Sequence, residues 1–255
     1  MSGPRAQHEP VALFLPARNE EANVGAVVVR VPTEVGGHRV RCLVIDDGSV
    51  DGTAAVAAAA GAEVVRLPGP AGLGAAVRRG LAEAVALGAV AVAFCDADGE
   101  YAPEELERMV APILSGVADY VVGSRFTGGP RRMRAHRWLG NHLLTMGLSL
   151  VARRRLTDGQ SGYRALSPAA AGAAAVIHDY NYAQVLTLDL LAKGFRYAEV
   201  PIAYRFRTQG RSFVRLVPYL RRVIPAVWRQ LRIQPMPAPT YDRSDGRRSV
   251  SRARV

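Results

Sequence analysis

An apolar alternation from Ala89 to Phe94 runs directly into Cys95-Asp96-Ala97-Asp98-Gly99-Glu100. The alternation predicts a buried strand, and the strand delivers Asp96, Asp98 and Glu100 into a loop. These acids stand at alternate positions, so a short extended segment would point all of them the same way. Hard oxygen ligands in that arrangement suit Mg2+ or Mn2+, ions that keep open positions for phosphate oxygens. The carboxyl end of a strand is also where open α/β sheets bind ligands. Asp-x-Asp alone reads as a solvated acidic turn; the rest of the chain reverses that preference.

The same unit of strand, polar turn and helix recurs upstream. Val11 to Pro16 is a short apolar strand, and Glu20 to Val31 carries helical spacing after the break at Ala17-Arg18-Asn19. Val40 to Ile45 is a second strand that ends in Asp46-Asp47-Gly48-Ser49-Val50-Asp51-Gly52-Thr53, followed by an alanine-rich helix to Ala60. Glu63 to Leu67 makes a third strand, Pro68 to Gly74 a glycine-rich turn and Ala75 to Leu87 a helix. Pro103 with Glu104 and Glu105 marks a helix first turn, and Ala118 to Gly123 a fifth strand. Alternation at this spacing predicts an α/β, Rossmann-like, mostly parallel sheet with helices on both faces. Gly69-x-x-Gly72-x-Gly74 follows the third strand rather than the first and has the wrong spacing for a dinucleotide fingerprint. Its readings are a plain turn or a tight turn near a phosphate.

The chain of 255 residues carries a formal charge of +11, with 49% hydrophobic and 22% charged residues. That is globular composition with excess charge held locally, and it implies phosphates among the partners: nucleic acid, an anionic membrane or phosphorylated substrates. Cys42 and Cys95 sit in apolar runs without metal-type spacing and read as free buried thiols in a reducing compartment. Met1 to Pro10 has no apolar core of a secretory signal, and Trp138 to Ala152, the longest uncharged stretch, falls short of the ~20 residues a spanning helix needs. The expectation is a chain that does not cross a bilayer.

Downstream of Arg125 the pattern changes. Arg131, Arg132, Arg134 and Arg137 precede the apolar Trp138 to Ala152, and Arg153 to Arg155 close it. Basic ends around an apolar middle suit an interfacial helix, and a core helix with solvated ends has nearly equal weight. Asp158-Gly159-Gln160-Ser161-Gly162-Tyr163-Arg164 is a polar loop entering a short strand; a helix near Tyr182 to Ala192 and a strand at Tyr197 to Tyr204 follow. Phe213, Val217, Leu220, Ile224, Val227 and Leu231 mark one helical face with Arg215, Arg222 and Arg229 opposite, kinked by Pro218 and Pro225. The division is a flexible segment 1–10, an α/β domain 11–212, amphipathic membrane-surface helices 213–233 and a disordered basic tail 234–255. His136, His142 and His178 show no catalytic or metal spacing.

Several motifs stand in one order: Pro16-Ala17-Arg18-Asn19-Glu20, Asp46-Asp47-Gly48-Ser49, Gly72-Leu73-Gly74, Asp96-Ala97-Asp98-Gly99, Gly123-Ser124-Arg125, Ser161-Gly162-Tyr163-Arg164 and Glu199-Val200-Pro201-Ile202. As a set, from about Val11 to Ser212, they resemble family 2 glycosyltransferases, and within them the dolichyl- or polyprenyl-phosphate sugar synthases. The resemblance implies a GT-A fold and inverting transfer of a hexose from a UDP- or GDP-linked donor to a polyprenyl phosphate, at the cytoplasmic face of an anionic membrane. It puts Pro16, Arg18, Glu20 and Gly74 around the nucleotide, with Asp46 or Asp47 accepting from the base or capping the next helix. Asp98 would hold Mg2+ or Mn2+ on the diphosphate with Asp96 beside it, and Glu100 stands where these synthases often carry glutamine. Arg125 and Arg131 would neutralise phosphate charge, Asp158 would sit by the acceptor as base or orienting group, and Arg207 and Arg211 would close the site.

Two other readings compete. A GT-A transferase acting on a soluble glycan or protein hydroxyl would need a true base. A non-enzymatic basic scaffold for membrane or nucleic acid would not need the carboxylates, and the scarcity of aromatics among the basic runs argues against nucleic acid.

Overall fold

The computed structural model describes residues 9–127, 135–177 and 182–205, together with Pro225, Arg229, Thr240–Tyr241 and Arg248–Ser249. Its centre is β1 (Val11–Ala17), buried at every position. β1 lies parallel between β3 (His38–Asp46) and β5 (Ala91–Phe94), with Phe14 opposite both Leu43 and Phe94. Continuous apolar sequence in β1 and β5 is what a strand covered on both faces requires. The sheet runs β3-β1-β5-β7-β6-β8, where β6 is Tyr120–Ser124, β7 is Arg164–Leu166 and β8 is Tyr197–Pro201. β4 (Glu63–Arg66) adds in parallel to β3, and β2 (Glu34–Val35) pairs antiparallel with the start of β3.

Alternation along the strands divides the core. Phe14, Ile45 and Phe94 face α3 (Leu73–Ala86), α5 (Ala135–Ala152), α6 (Pro168–Ala173) and α7 (Ala183–Ala192). Leu13, Leu15 and Val44 face α1 (Val24–Val28), α2 (Thr53–Ala59) and α4 (Leu106–Leu114). Phe14 and Phe94 stack with ring centroids 4.8 Å apart, which ties the two central strands on one face. The α/β class with helices on both faces is therefore as expected.

Three details differ from expectation. The helix expected over Glu20–Val31 is limited to Val24–Val28: ahead of it Asn23 N–H closes a turn onto Glu20 O (2.9 Å), and beyond it Arg30 and Val31 bond three residues back to Val27 O and Val28 O. The strand expected to reach Tyr204 leaves β6 at Pro201, and Ala203 turns to bond Glu105. β7 runs antiparallel to both its neighbours. Its direction follows from Asp158, which bonds Arg125 just beyond the end of β6, so the chain enters β7 from the carboxyl end of the sheet. The segments expected as amphipathic helices (213–233) and as a disordered basic tail (234–255) lie outside the described residues, apart from Pro225, Arg229 and an antiparallel pairing of Arg248–Ser249 with Thr240–Tyr241.

Candidate active site at the carboxyl end of the sheet

The loops that follow β1 and β3 hold each other. Asn19 N–H donates to Ser49 Oγ (2.9 Å) and Glu20 N–H to Thr53 Oγ1 (2.8 Å). In return Val50 N–H donates to Asn19 Oδ1 (3.0 Å) and Gly52 N–H to Glu21 Oε2 (3.0 Å). Asn19 takes φ 54 to do this, a left-handed conformation that asparagine tolerates better than most residues. Pro16 is buried in β1, Arg18 beyond it is exposed, and Glu20 is half-buried with its carboxylate on Asn23 (2.8 Å).

Neither Asp46 nor Asp47 caps α2, whose first N–H, that of Thr53, is met by Asp51 Oδ1 (3.0 Å). Buried Asp46 accepts from Ser49 N–H (2.9 Å) and from Arg66 Nε (3.0 Å). Asp47 accepts from Ala71 N–H (2.7 Å) and Gly72 N–H (3.0 Å) and thereby grips the glycine turn ahead of α3. Gly72 has φ 95, which only glycine adopts freely, and Gly74 is buried in the first turn of α3.

After β5 the acidic segment is a turn, with Gly99 at φ 79, and not the extended run expected from the spacing. Asp98 Oδ1 accepts from Glu100 N–H (3.0 Å), which closes the turn locally. Glu100 Oε2 accepts the Tyr204 hydroxyl (2.8 Å). Among the described residues no group of three or more His, Cys, Asp or Glu side chains is placed to hold a metal ion. Asp96 and Asp98 are half-exposed at the strand end. Magnesium-type ions are commonly held by one or two carboxylates with substrate phosphates and water, and these two hard donors fit that pattern.

Across the turn stands Arg125, just past β6. Its Nε and Nη2 form a bidentate pair with Asp158 (2.7 and 2.8 Å), whose oxygens also accept Arg125 N–H (3.1 Å) and Gln160 N–H (3.2 Å). The Asp158 side chain is 0% exposed and that of Arg125 8%, so Asp158 meets Arg125 and its own loop rather than open solvent. Burial alone would lower the Arg125 pKa, but Tyr101 and Asp158 outweigh it and hold it above the usual arginine range. Arg125 therefore keeps its charge with N–H groups beyond those that Asp158 uses. Its guanidinium lies 5.2 Å from the Tyr204 ring centroid.

The loop 159–163 is set by a residue whose role the sequence did not disclose. Arg164 is fully buried, donating to the carbonyls of Ser161 (2.9 Å), Ala183 (3.0 Å) and Gly159 (3.3 Å), to Thr187 Oγ1 (2.9 Å) and to the Tyr120 hydroxyl. That cage presses Gly162 against the acidic turn: a Cβ at Gly162 would stand 2.6 Å from Asp96 Oδ2. Gly162 N–H donates to Tyr101 Oη (2.7 Å). Tyr101, Arg164 and Tyr204 were missed as site residues; only the Ser-Gly-Tyr-Arg motif pointed near them. Arg131, Arg207 and Arg211 lie outside the described residues.

α5 begins beyond this site. Thr145, Leu148 and Ala152 face inward, and Thr145 Oγ1 accepts Gly159 N–H (3.1 Å). On the other side Leu139, Leu143, Met146 and Leu150 are 54, 56, 58 and 73% exposed, an apolar stripe at helical spacing that ends beside exposed Arg153, Arg154 and Arg155. His142 packs on Trp138 (4.2 Å) and Phe126 (5.0 Å). No helix among the described residues is long and apolar enough to cross a membrane. The thiols are free: burial pushes Cys95 well up and Cys42 up to about 12.

The profile of Glycosyl transferase family 2 matches residues 12–169. An uncharacterised glycosyltransferase of Mycobacterium tuberculosis is 33% identical over 211 residues, covering 81% of this chain and 90% of its own. Polyprenol monophosphomannose synthase of Mycolicibacterium smegmatis is 32% identical over 215 residues, covering 78% of this chain and 79% of its own. Among solved structures, glucosyl-3-phosphoglycerate synthase of Mycobacterium tuberculosis in complex with Mn2+, UDP-glucose and phosphoglyceric acid superposes with a TM-score of 0.72 at 25% identity, covering 90% of this chain and 81% of that one. The likeness confirms the GT-A architecture.

Proposed function

Because the chain belongs to glycosyl transferase family 2, we propose that it moves a hexose, with inversion, from a nucleotide-sugar to a polyprenyl phosphate held at an anionic membrane surface. The observation that carries the acceptor half of this reading is the exposed stripe Leu139, Leu143, Met146 and Leu150, on the helix that packs against the Asp158–Gly162 loop and is followed by exposed arginines. An apolar stripe with basic residues at its end suits the interface of an anionic leaflet. The polyprenol mannose synthase among its relatives supports the same class of acceptor.

The donor side rests on the stitched loops and the acidic turn. The loops after β1 and β3 hold each other before a nucleotide arrives, which lowers the ordering cost of binding. Asp96 and Asp98 would hold Mg2+ or Mn2+, which when bound supplies positive charge to the diphosphate as its bond to the anomeric carbon breaks. Arg125, kept charged and fixed by Asp158, directs its remaining N–H groups at phosphate oxygens without reorganising during reaction. A phosphate monoester acceptor is already anionic, so no strong base is required, and a buried Asp158 that serves Arg125 is compatible with that chemistry. We place the protein peripherally at the cytoplasmic face.

A soluble phosphorylated acceptor is the second reading, favoured by the phosphoglyceric acid complex of the structural relative. The test is transfer of radiolabelled sugar from a panel of UDP- and GDP-sugars to short-chain polyprenyl phosphate, free polyprenol and 3-phosphoglycerate in parallel. Product from polyprenyl phosphate alone supports the reading. Transfer only to phosphoglycerate, or to the free alcohol, overturns it.

A further inference from the structure

Residues 202–205 leave β8 and cross the site as a strap. Ile202 N–H donates to Ser124 O (3.0 Å) and Ala203 N–H to Glu105 Oε2 (2.8 Å). The next two residues both bond Glu100: Tyr204 through its hydroxyl to Oε2 (2.8 Å), and Arg205 N–H to the Glu100 carbonyl (2.9 Å). Tyr204 also makes an isolated antiparallel bridge with Tyr101, their rings edge-on at 5.8 Å. It also meets Arg125, whose guanidinium stands 5.2 Å from the ring centroid. One tyrosine thus touches the acidic turn through its hydroxyl and the arginine opposite through its ring.

Resting on the transferase reading above, we infer that Tyr204 is a positioning residue that couples the acidic turn to Arg125, and that Glu100 serves as its anchor rather than as a third metal ligand. A carboxylate oxygen that accepts a phenol at 2.8 Å is turned toward the strap. The strap needs an acceptor there because Tyr204 is half-buried, and a phenol hydroxyl withdrawn from water requires a partner. Glu100 also supplies the carbonyl for Arg205, so side chain and backbone of one residue hold consecutive residues of the strap. The spacing Asp-x-Asp-x-Glu, which reads as a ligand triad in sequence, is on this account a ligand pair followed by a latch. When the latch opens, Arg125 keeps Asp158 but loses the ring packed on its guanidinium, and the cost falls on the turnover step more than on donor binding.

The experiment separates a latch from a ligand. Mn2+ binding to the full-length protein in the presence of UDP or GDP is measured by electron paramagnetic resonance, beside kcat and donor KM, for Tyr204→Phe, Glu100→Gln, Glu100→Ala and the double variant Tyr204→Phe/Glu100→Ala. For a latch, Mn2+ affinity stays within about twofold in Tyr204→Phe and Glu100→Gln, since a ligand pair is intact. Loss of a hydrogen bond to a charged group lowers kcat by roughly tenfold in Tyr204→Phe and in Glu100→Ala, with donor KM little changed. The double variant is no worse than the poorer single one, because both remove the same contact. Glu100→Gln, whose amide oxygen still accepts the hydroxyl, recovers most of what Glu100→Ala loses. A tenfold loss of Mn2+ affinity in Glu100→Gln with none in Tyr204→Phe would overturn the latch and leave the transferase reading standing. A wild-type chain that binds no Mn2+ with either nucleotide would overturn both.

Discussion

Replacing Asp158 by alanine tests the buried pair on which the site is built. The substitution removes the acceptor of Arg125 Nε, Nη2 and N–H and of Gln160 N–H, and leaves the guanidinium, 8% exposed, without its carboxylate. Breaking one side of a buried ion pair costs about 3–5 kcal/mol, a large part of a typical domain stability of about 5–15 kcal/mol. For a urea m-value near 2–3 kcal/mol/M this moves the midpoint down by about 1–2.5 M. Asp158→Asn, which keeps the shape and one acceptor oxygen, should lose only about 1–3 kcal/mol. Arg125→Met/Asp158→Leu, which removes both charges, should recover much of the loss of Asp158→Ala, because the expensive state is the unpaired charge and not the missing bridge. Equilibrium unfolding followed by circular dichroism measures all of them. The reasoning is refuted if Asp158→Ala lies within about 1 kcal/mol of wild type, or if the double variant is less stable than Asp158→Ala.

Other changes probe the remaining parts of the site. Asp98→Asn should leave the fold intact and lower metal-dependent turnover by roughly 100-fold or more, checked by kinetics in Mn2+ beside a thermal melt. Gly162→Ala brings a Cβ to 2.6 Å from Asp96 Oδ2, so Asp96 must shift; a destabilisation of about 1–3 kcal/mol and weaker Mn2+ binding should appear together in denaturation and resonance titrations. Leu143→Asp/Leu150→Asp on the exposed stripe should reduce flotation with anionic vesicles by more than tenfold, as each replacement forfeits up to ~1.5–3 kcal/mol of apolar burial. Undiminished flotation would remove α5 from the membrane contact.

How much of this was legible in the sequence depended on whether a residue's partner was near it in the chain. Val11 to Pro16 and Ala89 to Phe94 announced themselves as buried strands because both faces of each are covered, and apolar residues therefore fill every position. Arg125 and Asp158 were named as site residues, but nothing in a linear reading joins positions whose contact is made by β7 turning back beside β6. Spacing alone groups Glu100 with Asp96 and Asp98, and spacing displays neither the left-handed Gly99 nor the distant Tyr204 whose hydroxyl Glu100 accepts. Arg164 stands in the Ser-Gly-Tyr-Arg motif, but a buried arginine that donates to backbone carbonyls leaves no periodicity for a sequence to display. The apolar middle of α5 was visible, but its division into an inward face and an open one depends on the fold beneath it.

The reciprocal bonding between the loops after β1 and β3 bears on how donor preference can be re-engineered. Five backbone N–H groups, those of Asn19, Glu20, Glu21, Val50 and Gly52, are satisfied by side chains of the opposite loop. A chimera that imports one loop from a relative with different side chains strands donors on the other, at a cost of about 1–3 kcal/mol for each that is buried. Specificity grafts should therefore transplant Ala17 to Asn23 and Asp47 to Thr53 as one cassette. Mutational drift between nucleotides would face the same constraint, with paired changes in the two loops surviving where single ones do not.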